Sequence, residues 1–226
     1  MRFGAVSYLN ARPLIEGLEP LVLDVPSALA RRVEQGELDV SLLPVAAGEA
    51  LGLPRVGSLG VAAEGPVDSV LFFLRRPLAE CTTLRLDPAS RTSRLLAQVL
   101  FAEVYGSEPK LVAGKADAEL LIGDAALERV ARGEPTVDLA AEWTRWSGLP
   151  FVFAAWYGDP AAEPALEEAY RAGSERLEEY AAASDLGVPP EQLADYLRNR
   201  IRFRIGPREE QGLARFLELS RTRGLL

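Results

Sequence analysis

Apolar residues along this chain fall in two patterns: short uninterrupted runs, as in buried strands, and longer stretches with apolar positions three and four apart, as in amphipathic helices. Residues 2–6 form the first run. A polar turn follows, and Pro13 suits the first turn of a helix carrying Leu14, Ile15 and Leu18. Residues 21–25 read as a second strand, and Pro26-Ser27 opens a helix with Leu29, Ala30 and Val33 on its inner side, stopped by Gly36. Residues 39–45 give a third strand followed by a helix. This β-α-β-α-β order predicts a parallel sheet covered by helices.

Residues 56–63 and 68–74 are two further apolar runs, the second ended by Arg75-Arg76-Pro77. A fresh β-α-β pattern starts at Leu84. Its helix carries Leu95, Leu96, Val99, Leu100 and Val104 on one stripe and ends at Gly106. Leu111-Val112 and the run from Ala118 to Ile122 read as strands, and 138–146 as a helix stopped before Pro150. Residues 151–157 form a long apolar run, the natural return partner of 69–74. Two crossings predict two lobes, with residues 1–74 plus 155–226 as lobe I and 75–154 as lobe II. From Pro164 onward the pattern predicts one long helix through Tyr180 and another through Leu193, Tyr196 and Leu197. A short alternating strand at 201–206 and a last helix from Pro207 follow, all packing back onto lobe I. Trp143, Trp146 and Trp156 read as core aromatics at these spacings.

Composition narrows the function classes. The 226 residues are 48% hydrophobic, enough for one large or two small cores, and carry a net charge of -8 with a pI near 4.8. Phosphate backbones and acidic headgroups require a basic surface, so neither a nucleic acid nor a membrane is expected as partner. The chain has no histidine, which removes the commonest general base and the commonest metal ligand together. A Ser-His-Asp triad and a zinc site are excluded, and no metal or cofactor is expected. Cys81 is the only cysteine, so no intrachain disulfide forms. Met1-Arg2-Phe3-Gly4 does not open a signal peptide and no apolar run reaches spanning length, so a cytoplasmic location is expected.

Candidate chemistry clusters where strands run into helices, the rim at which open α/β sheets hold small anions. Ser7, Tyr8 and Asn10 follow the first strand, although Asn10 is equally suited to capping its helix. Ser41 falls at the same rim, and Ser69 opens the first crossing strand. Ser90, Arg91, Thr92 and Ser93 crowd a helix start, where Ser90 as cap would leave free N–H groups for a carboxylate. Gly123 allows close backbone approach or a tight turn. Asp124 reads as a helix cap, a catalytic carboxylate or a ligand to a substrate hydroxyl.

Five stretches, in order, carry a resemblance: Ser7-Tyr8-Leu9-Asn10-Ala11-Arg12-Pro13-Leu14, the segment 36–45, Ser90-Arg91-Thr92-Ser93, the segment 122–127 and the segment 148–154. Together they resemble the chorismate dehydratase family of the futalosine route to menaquinone, and they span nearly the whole chain. The resemblance implies an α/β, two-lobed, type II periplasmic binding protein-like fold, each lobe a sheet flanked by helices with a cleft between. It implies a lyase that converts chorismate to 3-[(1-carboxyvinyl)oxy]benzoate and water. Asn10 and Ser90 are then the catalytic candidates. Ser7, Tyr8, Ser41, Ser69, Arg91, Thr92, Ser93, Gly123 and Asp124 are substrate-binding candidates, with either Asp124 or the substrate's own carboxylate as proton acceptor. The alternative is a non-catalytic protein that binds or senses a small carboxylate, since a cleft fold does not by itself imply chemistry.

Overall fold

A computed structural model describes residues 1–226. In chain order it runs β1 (Phe3–Val6), β2 (Leu21–Asp24), α1 (Pro26–Glu34), β3 (Val40–Pro44), α2 (Val45–Ala50), β4 (Arg55–Ala63) and β5 (Val70–Leu74). Then come β6 (Thr83–Arg85), α3 (Arg91–Tyr105), β7 (Lys110–Leu111), β8 (Ala118–Ile122), α4 (Asp124–Val130), β9 (Thr136–Asp138), α5 (Leu139–Ser147) and β10 (Phe151–Gly158). The last part is α6 (Glu163–Ser174), α7 (Leu177–Ala182), α8 (Pro190–Asp195), β11 (Arg202–Arg204) and α9 (Pro207–Thr222).

The strands form two sheets, as the two β-α-β patterns predict. The first has the order β11-β4-β10-β3-β1-β2 and the second β7-β6-β8-β5-β9. In each, a parallel pair flanks a central strand, β1 between β2 and β3, and β8 joins β6 in parallel, whereas β10 and β5 insert antiparallel to their neighbours. A parallel connection needs a crossover, and α1 and α3 supply it in the two sheets.

The antiparallel strands are where expectation and structure part. The run 68–74, expected in lobe I, is β5 of the second sheet, and residues 151–154, expected in lobe II, belong to β10 of the first. Both strands are buried on both faces. Such a strand satisfies either sheet, and nothing in its pattern says which one it joins. We place the lobe crossings earlier in each case, at 64–69 and 139–150.

Asp138 ties these crossings together. Its Oδ2 accepts from the N–H groups of Val67 (2.8 Å) and Asp68 (2.7 Å), and its Oδ1 caps α5 through Ala141 N–H (3.0 Å). Thr144 Oγ1 accepts from Gly65 N–H in the same seam (3.0 Å). Asp68 holds a left-handed φ of 62°, rare for a residue with a Cβ, so this corner is fixed by its bonds rather than by local preference.

A continuous apolar core runs from one sheet into the other, with Leu14, Leu42 and Phe151 at one end and Phe72, Leu96 and Phe101 at the other. A smaller cluster of Leu71, Phe73 and Ala126 lies under α4. Trp143, Phe151 and Phe216 pack edge to face with centroids 4.9–6.2 Å apart. Such pairs add about 1 kcal/mol each beyond burial. Trp146 joins them at 5.7 Å from Trp143, whereas Trp156 is buried elsewhere in the core. The C-terminal helices return to lobe I. A Cβ on Gly173 of α6 would meet Pro13 O at 2.3 Å, and one on Gly212 of α9 would meet Pro150 O at 2.0 Å. The expected long helix from Pro164 breaks at residue 175 into α6 and α7. No helix is long and apolar enough to cross a membrane.

Candidate functional site

The stretch after β1 does not form an α-helix. Residues Leu9–Leu14 wind as a 3-10 helix, with Pro13 inside and Tyr8 at its start. Tyr8 offers no side-chain cap. Instead Asp124, at the start of α4 in the other sheet's layer, accepts from Leu9 N–H at 3.0 Å. Thr92 does the reciprocal service, its Oγ1 accepting from Ala46 N–H of α2 at 3.0 Å. Each side of the cleft thus satisfies a helix start belonging to the other.

Between them lies a cavity of about 60 Å³, bounded by Tyr8 and Asn10 on one side and by Ser69, Ser90, Ser93 and Gly123 on the other, with Val61, Val67 and Phe153 closing its apolar wall.

Asn10 is 9% exposed and lies within the 3-10 helix, so it is not the cap that its position suggested. Its Nδ2 donates to the hydroxyl of Tyr196 at 2.9 Å, and that hydroxyl donates to Ser69 Oγ at 2.9 Å. With the amide nitrogen engaged, Oδ1 is the part of Asn10 left to face the cavity as an acceptor. Opposite, Ser90 caps α3 as expected: its Oγ accepts from Ser93 N–H and from Ser93 Oγ, both at 3.2 Å. The proton of the Ser90 hydroxyl remains available to a ligand. Tyr8 lies flat against Gly123, where a Cβ would sit 3.0 Å from the ring, and the left-handed φ of 61° at Gly123 also disfavours any side chain.

The lining contains no charged side chain. Burial pushes the Tyr8 hydroxyl up to about 12, and burial likewise raises that of Tyr196, so both stay protonated. This is a neutral pocket of hydroxyls, one amide oxygen and the positive end of a helix, suited to holding a carboxylate and a hydroxyl without titrating.

The other sequence candidates lie elsewhere. Ser41 is fully buried, donating to Gly4 O at 3.0 Å behind β1, where it serves the sheet. Thr92 is spent on α2. Ser7 and Asp124 line a side cleft with Arg12 and Tyr180, so Asp124 is neither the cap of its own helix nor within the cavity, and burial raises its pKa. Arg91 stands in an open vestibule of about 640 Å³ that meets the cavity at Pro26 and Pro44, together with Arg94. Tyr196 was invisible to sequence reasoning because an aromatic at helical spacing beside Leu193 and Leu197 reads as core. Cys81 is buried, its thiol raised by burial, and lies outside the site.

Comparison with known proteins places these features in context. Residues 1–222 match the family described as menaquinone biosynthesis. A chorismate dehydratase of Thermus thermophilus is 32% identical, the match covering 95% of this chain and 93% of that protein. One from Campylobacter jejuni is 27% identical over the full length of both. Among solved structures, a protein from Archaeoglobus fulgidus superposes with a TM-score of 0.77 at 16% identity, covering 100% of this chain and 98% of that one. The periplasmic aliphatic sulphonate binding protein of Escherichia coli gives a TM-score of 0.63 at 14% identity, covering 100% and 93%. The fold is therefore periplasmic-binding-protein-like, as expected.

Proposed function

This chain belongs to the menaquinone biosynthesis family, and from that premise we propose that it is a lyase dehydrating chorismate to 3-[(1-carboxyvinyl)oxy]benzoate at the head of the futalosine route. The observation that carries the reading is the pairing, across one cavity, of the free amide oxygen of Asn10 with the hydroxyl-rich start of α3.

The reaction takes the ring proton beside the enolpyruvyl ether, expels the neighbouring hydroxyl as water, and leaves an aromatic ring. Aromatisation makes it downhill, so the protein's task is to position the substrate more than to supply a strong base. Asn10 Oδ1 accepts from the hydroxyl that leaves, orienting its C–O bond, and the proton taken from the ring is passed on to the departing oxygen, which leaves as water. The Ser90 hydroxyl, whose oxygen Ser93 holds in place, and the N-terminus of α3 hold a carboxylate by neutral donors and the helix dipole. No carboxylate lines the cavity and Tyr8 stays protonated there, which favours the substrate's own side-chain carboxylate over Asp124 as proton acceptor. The uncharged lining also demands that both negative charges be held without a salt bridge. The lobes part to admit the ring and close over it, excluding water.

Incubating the protein with chorismate, while following loss of the diene absorbance and chromatographic appearance of the benzoate, tests the reading directly. Saturable binding without product would favour the second class of function, a protein that binds a small carboxylate and does no chemistry.

Arg94 supplies a separate expectation. It stands with Arg91 in the vestibule through which a dianion would pass. Arg94→Gln should lower kcat/KM about threefold at low ionic strength, with kcat unchanged, and the difference should vanish near 0.5 M salt, where screening shortens the range of charge attraction to a few ångströms. A salt-independent loss would show that Arg94 acts by contact instead.

A further inference from the structure

We propose that Tyr196 is a positioning residue that sets the amide of Asn10 through its own bond to Ser69; this rests on the dehydration reading above. Tyr196 is 3% exposed and begins a π-helical turn, Tyr196–Arg200, that continues α8. Single π turns shift the side chains that follow and recur at functional sites. Here the turn brings two side chains onto consecutive residues of the first crossing. The Tyr196 hydroxyl donates to Ser69 Oγ at 2.9 Å, and Arg200 Nε lies 3.1 Å from Asp68 Oδ2.

The same hydroxyl accepts from Asn10 Nδ2 at 2.9 Å. A phenol has one proton to donate. Given to Ser69, it leaves the oxygen lone pairs to receive the amide N–H, and the amide must then turn its Oδ1 toward the cavity. Asn10 and Tyr196 flank the first sheet, whereas Ser69 leads directly into β5 of the second. The Tyr196 hydroxyl thus links the crossing to Asn10: the bond to Ser69 commits the phenol proton, and that commitment fixes which end of the amide faces the cavity.

The test uses steady-state kinetics on chorismate with wild type, Tyr196→Phe, Ser69→Ala and the double variant. Tyr196→Phe deletes only the hydroxyl and should lower kcat on the order of tenfold to a hundredfold, with KM within about twofold, because misplacement of a positioning group acts on turnover more than on binding. Ser69→Ala should lower kcat by less, and the double variant should be no slower than Tyr196→Phe alone, as expected of residues acting through one contact. A folded Tyr196→Phe with wild-type kcat overturns the proposal, as do losses that multiply in the double variant. If Tyr196→Phe does not fold, an unchanged kcat in Ser69→Ala overturns it. Wild-type protein that makes no product refutes the dehydration reading itself, a result distinct from all of these.

Discussion

Asn10→Ala is expected to cut chorismate turnover by on the order of a hundredfold, the size of loss that follows when a group orienting the reacting centre is removed. The side chain is the only amide in the cavity lining, so no neighbour replaces its oxygen. The substitution should leave the sheets intact. It opens a small void at a site that is 9% exposed and deprives the Tyr196 hydroxyl of a donor while leaving its bond to Ser69. An acceptor losing its partner costs about 1–2 kcal/mol, to be read as a shift in the urea midpoint with unchanged slope. Turnover above a tenth of wild type would remove Asn10 from the chemistry, whatever the stability change. A comparable loss of stability with normal turnover would make it a structural residue of the 3-10 helix.

The contrast between Asn10 and Ser90 shows what was legible beforehand. Ser90 is followed three residues later by Ser93 and then by a strong apolar stripe, and its capping bond is local, so the sequence carries it. Asn10 occupies an equally good capping position by local rules. The helix nevertheless starts one residue earlier in a 3-10 wind, and its first N–H is satisfied by Asp124, 115 positions along the chain. Thr92 and Ala46 repeat the lesson at a separation of 46. Contacts of this kind have no local signature, and they are the ones that build the closed site. The strands were legible as strands because they are short and uniformly apolar, but that uniformity hid which sheet β5 and β10 join. Of the residues in the ordered motifs, Tyr8, Asn10, Ser90, Ser93 and Gly123 line the cavity, and Ser69, outside the motifs, lines it too. Ser7, Ser41, Arg91, Thr92 and Asp124 share those motifs without sharing the cavity, since neighbours along a turn face different ways.

Asp138→Ala is the expected largest loss of stability. Its carboxylate receives three backbone N–H groups, from Val67, Asp68 and Ala141, and so fastens both crossings at one point. Alanine strands all three donors in a half-buried seam, and Asp68 loses the bond that helps hold its left-handed φ of 62°. At a cost of about 1–3 kcal/mol for each donor left unpaired, reduced where water reaches the seam, the total should come to about 3–5 kcal/mol in urea unfolding. The pH dependence is a second mark of the same group. Burial pushes the Asp138 carboxyl up to about 6 against the pull of its backbone donors, from an ordinary value of 3.8. The folded state therefore holds this proton more tightly than the unfolded chain, so its contribution is greatest below pH about 4 and declines as pH rises to about 6. The advantage of wild type over Asp138→Ala should accordingly be about 1 kcal/mol larger at pH about 5 than at pH about 7.5. Asp39 and Asp117, held down to about 2 by their hydrogen bonds, act in the opposite sense, but only below the ordinary carboxylate range, outside that comparison. A difference that instead grows toward pH about 7.5 would mean the three N–H bonds outweigh burial and hold the carboxylate ionised. A loss below about 1 kcal/mol at both pH values would show that the crossings are held together by the continuous core rather than by this one side chain.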